Sequence, residues 1–233
     1  MDTNIKYRHE LKYQCTEAQL AIIRNRIQGL LSYDPHAEGG QYTIRSMYFD
    51  NLENRCFYEI ESGTDPREKF RIRIYNSSDS RISLECKRKE RSKTYKTSCL
   101  LTKEEYSKIL SGGTLSDIAA KPTLLRKFSV LQKTQLFRPA VIVEYDRTPY
   151  VYQIGNVRIT LDCNIRSSND FLNFFEPNLP TRQIMPKGLH LLEVKYDNLL
   201  PDFIKQALQL GDLQQTTFSK YYLCRKYSIG GQL

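Results

Sequence analysis

Histidine is scarce in this chain: there are three, His9, His36 and His190, and their spacing is not that of a zinc site. They read as surface or packing residues. The six cysteines, Cys15, Cys56, Cys86, Cys99, Cys163 and Cys224, never form the C-x-x-C pairs of zinc ribbons or thioredoxin-like centres, so they read as reduced thiols. No window approaches the roughly 18 apolar residues that cross a bilayer. The stretch from Met1 to Tyr13 lacks the apolar run of a signal peptide. The expectation is a cytoplasmic chain without direct membrane insertion. Also missing are G-x-x-x-x-G-K-[ST], G-x-G-x-x-G and G-x-S-x-G, which removes the P-loop, the dinucleotide fingerprint and the nucleophile elbow from consideration. No internal repeat or low-complexity tract is visible.

What the chain does have is charge with a bias. Of 233 residues, 40% are hydrophobic and 26% charged, enough apolar content for a real core and a length compatible with one domain spanning 1–233. The formal charge of +9 points to anionic partners. Composition does not separate nucleic acid, acidic lipid and small phosphates, so the placement of the charges has to decide.

Thr16-Glu17-Ala18-Gln19 resembles a capping box, and Leu20, Ile23, Ile27 and Leu31 follow at helical spacing. A second helix opens at Thr102 and ends at Gly112-Gly113. A third runs from Leu124 to Phe137 and is closed by Pro139, and a fourth covers Leu200 to Leu210. Strand-like runs occupy Tyr7–Tyr13, Tyr42–Asp50, Lys69–Tyr75, Arg81–Lys89, Ala140–Arg147, Val157–Asp162 and Leu189–Tyr196. Ser167 to Lys187 is the longest expected loop.

Alternation within these strands carries the functional reading, because successive side chains point to opposite faces. In Lys69-Phe70-Arg71-Ile72-Arg73-Ile74 every second residue is a cation. Arg8, Glu10 and Lys12 share a face; so do Ser83, Glu85, Lys87 and Lys89; so do Arg158, Thr160 and Asp162; and so do Leu191, Glu193 and Lys195. One such strand is ordinarily a solvated sheet face. Several together, rich in cations with carboxylates interspersed singly, fit an α+β fold whose eight-stranded antiparallel β-barrel, flanked by helices, turns its charged face into a wet lumen. A polyphosphate with a divalent metal is the natural counter-ion. Nucleic acid is disfavoured, because Phe70 of Lys69–Tyr75 alternates away from the cations and single-strand binding needs both on one surface.

Several ordered motifs resemble a known family: Arg8-x-Glu10-x-Lys12-Tyr13, Ile44-Arg45-Ser46-Met47-Tyr48-Phe49-Asp50, Lys69-Phe70-Arg71-Ile72-Arg73-Ile74-Tyr75, Leu84-Glu85-Cys86-Lys87, Tyr145-x-Arg147, Arg158-Ile159-Thr160-Leu161-Asp162, Leu192-Glu193-Val194-Lys195 and Ser219-Lys220-Tyr221. They look like the polyphosphate polymerase (VTC) domain of the triphosphate tunnel metalloenzymes, and they span nearly the whole chain. The resemblance implies an eight-stranded tunnel in which the γ-phosphoryl of ATP passes to a growing inorganic polyphosphate chain, with Mn²⁺ or Mg²⁺. It implies phosphate binding by Arg45, Arg71, Arg73, Lys87, Lys96, Arg147, Arg158 and Lys220, and metal binding by Glu193. The charged strand faces add Lys12, Lys69, Lys89 and Lys195 as phosphate ligands. Glu10, Glu85 and Asp162 are further metal candidates, with pairing to a neighbouring cation as the alternative role.

The triphosphatase and cyclase branches of that superfamily begin with Glu-x-Glu-x-Lys, whereas this chain carries Arg8 at the first acidic position. This favours polymerisation over two-metal hydrolysis; a triphosphatase and a non-catalytic polyphosphate or nucleotide sensor are the other readings. Product export or storage would fall to a separate membrane protein partner. Glu193→Gln is expected to abolish turnover with the fold intact, and Arg71→Ala or Arg73→Ala to weaken triphosphate binding with little loss of stability.

Overall fold

Thr16 sits where the first strand turns into the first helix. Its hydroxyl accepts from the Gln19 backbone N–H, and the Gln19 side chain accepts from the Thr16 N–H, which closes the capping box read from sequence. A second box closes at Thr102 and Glu105. Around these signals the computed structural model describes residues 8–35, 37–91, 93–208 and 213–230. The strands are β1 His9–Thr16, β2 Ser32–Tyr33, β3 Tyr42–Asp50, β4 Arg67–Tyr75, β5 Ser78–Glu90, β6 Lys93–Leu101, β7 Arg138–Tyr152, β8 Val157–Ser168, β9 Arg182–Gln183 and β10 Leu189–Tyr196. The helices are α1 Glu17–Ile27, α2 Arg55–Glu61, α3 Lys103–Leu110, α4 Thr123–Gln135, α5 Asp202–Ala207 and α6 Lys220–Gly230.

The α+β class holds, with ten mostly antiparallel strands among the described residues. The hydrogen-bonded path is β1-β10-β8-β7-β3-β4-β5-β6, with β2 on β7 and β9 on β8. It has two ends. The expected barrel is therefore not closed by backbone hydrogen bonds among the described residues, since β1 pairs along its length with β10 and β6 with β5. His36, Tyr7 and the Leu210 end of the expected fourth helix lie outside the described residues.

The chain divides into two compact units. The first comprises Met1–Thr43, Tyr145–Arg166 and Gln183–Ser219. Its core is one face of β8 and β10, with Ile159, Leu161, Leu192 and Val194, against Leu20, Ile23 and Ile27 of α1 and Ile204 of α5. The helical spacing of α1 thus buries the stripe predicted for it. The second unit comprises Ile44–Glu144, Ser167–Arg182 and Lys220–Leu233. Here Phe128 of α4 packs edge-on against Phe49 of β3, ring centres 4.9 Å apart, and also against Phe70 of β4 at 5.6 Å. In both units helices cover the apolar strand faces, so the charged residues are left on the other face.

Several elements were invisible in the periodicity. The strand β6 reads Lys-Thr-Tyr-Lys-Thr-Ser-Cys-Leu-Leu, too polar to stand out, and forms because each residue pairs with β5. The short helix α2 has no capping side chain at Asn54. Instead the buried Asp50 carboxylate accepts from the backbone N–H groups of Cys56 and Phe57, at 2.8 and 3.1 Å.

Candidate active site

In an antiparallel sheet, residues directly opposite one another share a face. In the first unit this rule aligns Lys12 of β1 with Glu193 of β10 and Thr160 of β8. The next row is Glu10, Lys195 and Arg158. Glu193 is 5% exposed and is ringed by cations: Lys195 at 3.1 Å, Arg147 at 3.3 Å and Lys12 at 3.7 Å. Lys12 also lies 3.1 Å from Glu10 and donates to the Phe218 carbonyl at 2.8 Å.

Arg147 enters this cluster from β7. Its Nε and a terminal nitrogen each donate to one Asp162 oxygen at 2.7 Å, a bidentate pair with Asp162 fully buried. Burial opposes the Arg147 charge, but Asp162, Tyr145 and Glu193 outweigh it and raise its pKa well above the usual value. Arg147 is a fixed cation. Arg158 meets Asp34 at 2.7 Å and donates to the Tyr42 hydroxyl at 3.1 Å. Arg8 turns to Asp197, 3.0 Å away, and to the Asn156 carbonyl.

Thr160 is different. It is 1% exposed, and its Oγ1 has no hydrogen-bond partner among the described residues. A buried hydroxyl of that kind costs free energy unless something completes it.

In the second unit, Lys69, Lys87 and Lys96 stand opposite one another across β4, β5 and β6. Arg71, Glu85 and Ser98 form the adjoining row, Arg73 and Ser83 follow, and Arg67, Lys89 and Thr94 lie on the far side of the lysines. Glu85, 4% exposed, accepts from Arg71 at 2.7 Å and from Lys96 at 3.1 Å, with Arg73 at 3.9 Å. Burial alone would raise the Glu85 carboxyl; Arg71, Arg73 and Lys96 overcome it and hold the group well below the usual carboxylate range. Tyr48 and Ser46 complete this cluster from β3, accepting from Arg71 at 2.7 Å and Arg73 at 3.1 Å. A solvated sheet face would expose Glu85 and Arg73, which are buried here, while Lys96 stays half exposed at the edge.

The structure does not bring Arg45 to this cluster. Ser46 and Tyr48 are the β3 residues opposite Arg73 and Arg71, so Arg45, opposite Ile74, faces the other way. It is 1% exposed, pairs with Glu144 and donates to the carbonyls of Phe174 and Glu176 at 2.7 and 2.8 Å. That arrangement anchors the Ser167–Lys187 loop rather than presenting a guanidinium to a ligand. Lys220 opens α6, and the next residue, Tyr221, donates to Asp50 at 2.6 Å with its ring 5.0 Å from that of Tyr48. A cavity of about 230 Å³ lies on the Phe70 side of β4, edged by Arg55, Arg88 and Lys127, and so on the face away from Arg71.

Sequence reasoning missed Asp34, Tyr42, Ser46 and Tyr48 as partners of the arginines. For Ser46 and Tyr48 the signal was present in their alternation with Arg45 along β3; Asp34 sits in irregular chain and offered none.

Residues 7–229 match the family model described as the VTC domain. The chain belongs to the VTC domain family. The VTC match spans nearly the full length, in agreement with the resemblance read from the ordered motifs. No curated protein matches the chain. Among solved structures it is similar to a putative adenylate cyclase from Bacillus halodurans, at 14% identity and a TM-score of 0.48 over 90% of this chain and 88% of that one. A Pyrococcus horikoshii OT3 protein is similar at 14% identity and a TM-score of 0.45, over 89% and 94% of the two chains. The S. pombe Pct1 RNA triphosphatase is more distant, at 11% identity and a TM-score of 0.32 over 99% and 82%.

Proposed function

We propose that this VTC domain is a metal-dependent polyphosphate polymerase that transfers the γ-phosphoryl group of ATP to the end of an inorganic polyphosphate chain. Membership of the family supports a triphosphate-binding and processing enzyme; polymerisation is the finer reading. The observation that carries it is the row Lys69, Lys87 and Lys96. Lys96 also pairs with Glu85, and with Arg71 and Arg73 in the adjoining rows the face keeps an excess of positive charge that a polyanion complements. The cationic positions run along β4 from Arg67 to Arg73, about 20 Å at the usual strand rise, which suits an extended chain of phosphates better than a single one.

In the reaction, a terminal oxygen of the polyphosphate attacks the γ-phosphorus of ATP. The new P–O bond forms as the bond to the β,γ-bridging oxygen breaks, and ADP leaves with the electron pair. Such a transfer needs positioned cations rather than covalent help. The second unit offers Arg71, Arg73, Lys69, Lys87, Lys89, Lys96 and Lys220 for phosphate oxygens. The first offers Arg147, Lys12 and Lys195 around the carboxylate of Glu193, with Arg158 in the adjoining row.

Glu193 would hold Mn²⁺ or Mg²⁺, whose chemistry when bound is to neutralise phosphate oxygens. The donors fit a hard ion that needs one or two carboxylates and takes its remaining ligands from phosphate and water. Among the described residues no three acidic, histidine or cysteine side chains converge as a metal group, so a dedicated protein cage is not what these residues build. Glu10, beside Lys12, is a second metal candidate. Asp162 and Glu85 are committed to Arg147 and Arg71, and we assign them to holding those cations.

Purified protein incubated with ATP and Mn²⁺ tests the reading. Lengthening phosphate chains support it. Free phosphate alone makes the protein a triphosphatase, and binding without turnover makes it a sensor; either result overturns polymerisation.

A further inference from the structure

Thr160 belongs to none of the roles assigned above, yet it stands directly beside Glu193 in its row. Its cross-strand partner is Glu193 itself, so the two side chains rise from the same face with Cβ atoms about 5 Å apart. Both are more than nine-tenths buried, and the Thr160 Oγ1 has no hydrogen-bond partner among the described residues. A buried hydroxyl in a strand is normally satisfied, and an exception calls for a cause. Burial of the side chain is not the cause, since valine has the same shape without the polar atom.

We infer that Thr160 Oγ1 is a direct oxygen ligand of the divalent ion held by Glu193. Hard divalent ions take oxygen donors, and a Ser or Thr hydroxyl is used in this way to hold Mg²⁺ against nucleotide phosphates in P-loop enzymes. The local charge supports a hydroxyl here. Lys12, Lys195 and Arg147 already surround Glu193, so the ion enters with its phosphates, and a neutral oxygen adds a ligand without adding another carboxylate to a densely paired cluster. The same argument explains why Arg8 can stand where a further acidic ligand would be expected, since it pairs with Asp197 away from Glu193. This inference rests on the metal-dependent reading of the Glu193 site.

The test compares binding of Mn²⁺–tripolyphosphate with that of metal-free tripolyphosphate, by calorimetry, for the wild-type chain, Thr160→Val, Thr160→Ser and Glu193→Gln. Wild type is expected to bind the metal complex more tightly. Thr160→Val should reduce that metal-dependent gain by about 10–100-fold, a loss of the size seen when groups that support a metal site are removed. It should leave the metal-free affinity unchanged and raise the melting temperature, because an unsatisfied buried hydroxyl is gone. Thr160→Ser should keep the gain. A Thr160→Val protein with the full wild-type gain, alongside a Glu193→Gln protein that has lost it, overturns the role of Thr160 and leaves that of Glu193 standing. Absence of any gain in wild type overturns the metal-dependent reading and this inference together.

Discussion

Arg147 and Asp162 form a two-bond pair, each bond 2.7 Å, at a position where Asp162 has no exposed surface and Arg147 very little. Removing one partner of such a pair leaves a buried charge without its counter-ion, at a cost of about 3–5 kcal/mol. Asp162→Asn is therefore expected to lower stability on that scale in urea denaturation. Turnover should fall as well, because Arg147 would lose the orientation that brings it within 3.3 Å of Glu193.

Glu193→Gln keeps the shape but only one acceptor oxygen, which serves either Lys12 or the Lys195–Arg147 side. The expected outcome is a folded protein whose metal-dependent turnover falls about 100-fold or more, the scale of losing a principal group that stabilises transition-state charge. Circular dichroism and a turnover assay check the two halves separately; unfolding would make Glu193 a structural residue.

Arg71→Ala should weaken tripolyphosphate binding. The contact with Glu85 also revises the expectation drawn from sequence that stability is spared. The buried carboxylate would lose its nearest cation, and Tyr48 the Arg71 hydrogen bond, so a loss of about 1–3 kcal/mol is expected by thermal or urea unfolding. Lys96 and Arg73 remain near Glu85, which keeps the figure below that for Asp162→Asn.

The pH dependence of folding should carry the signature of Glu85. Its pKa in the folded protein lies below the ordinary value of 4.5, so the folded state prefers the charged form more than the unfolded state does. That contribution is fully present above about pH 4.5 and is lost as pH falls below it toward the folded value. Stability measured from pH 6 down to pH 3 should decline, and Glu85→Gln should show a shallower decline over the same range.

Arg45→Met tests whether the family-implied phosphate contact applies here. The side chain is buried on the apolar side of β3 with Glu144 and two backbone carbonyls. A loss of about 3–5 kcal/mol is expected, because Glu144 would be stranded. Tripolyphosphate affinity of the fraction that folds should match wild type, and a marked drop would return Arg45 to the binding site.

The candidate site was partly legible in the sequence. Alternation in Lys69–Tyr75 separated Arg71 and Arg73 from Phe70 and Ile72, and the registers of β4 and β5 keep them apart. The same rule grouped Glu193 with Lys195 and Thr160 with Arg158. Arg45 entered through the resemblance alone, and only the pairing of β3 with β4 reveals that Ser46 and Tyr48, rather than Arg45, stand opposite Arg73 and Arg71.

By itself, the sequence determined the period of β1, β3, β4, β5, β7, β8 and β10 and the capped starts of α1 and α3, because side-chain direction and capping are local properties of the backbone. It also determined that cations and apolar residues would separate onto opposite faces. Which carboxylate answers which cation was decided by tertiary structure alone. Asp162 meets Arg147 from a strand 15 residues away, Glu193 approaches from 46 residues away, and Thr160 finds Glu193 only through the register of β8 with β10. These contacts depend on distances through space between segments far apart in the chain, which local periodicity does not encode.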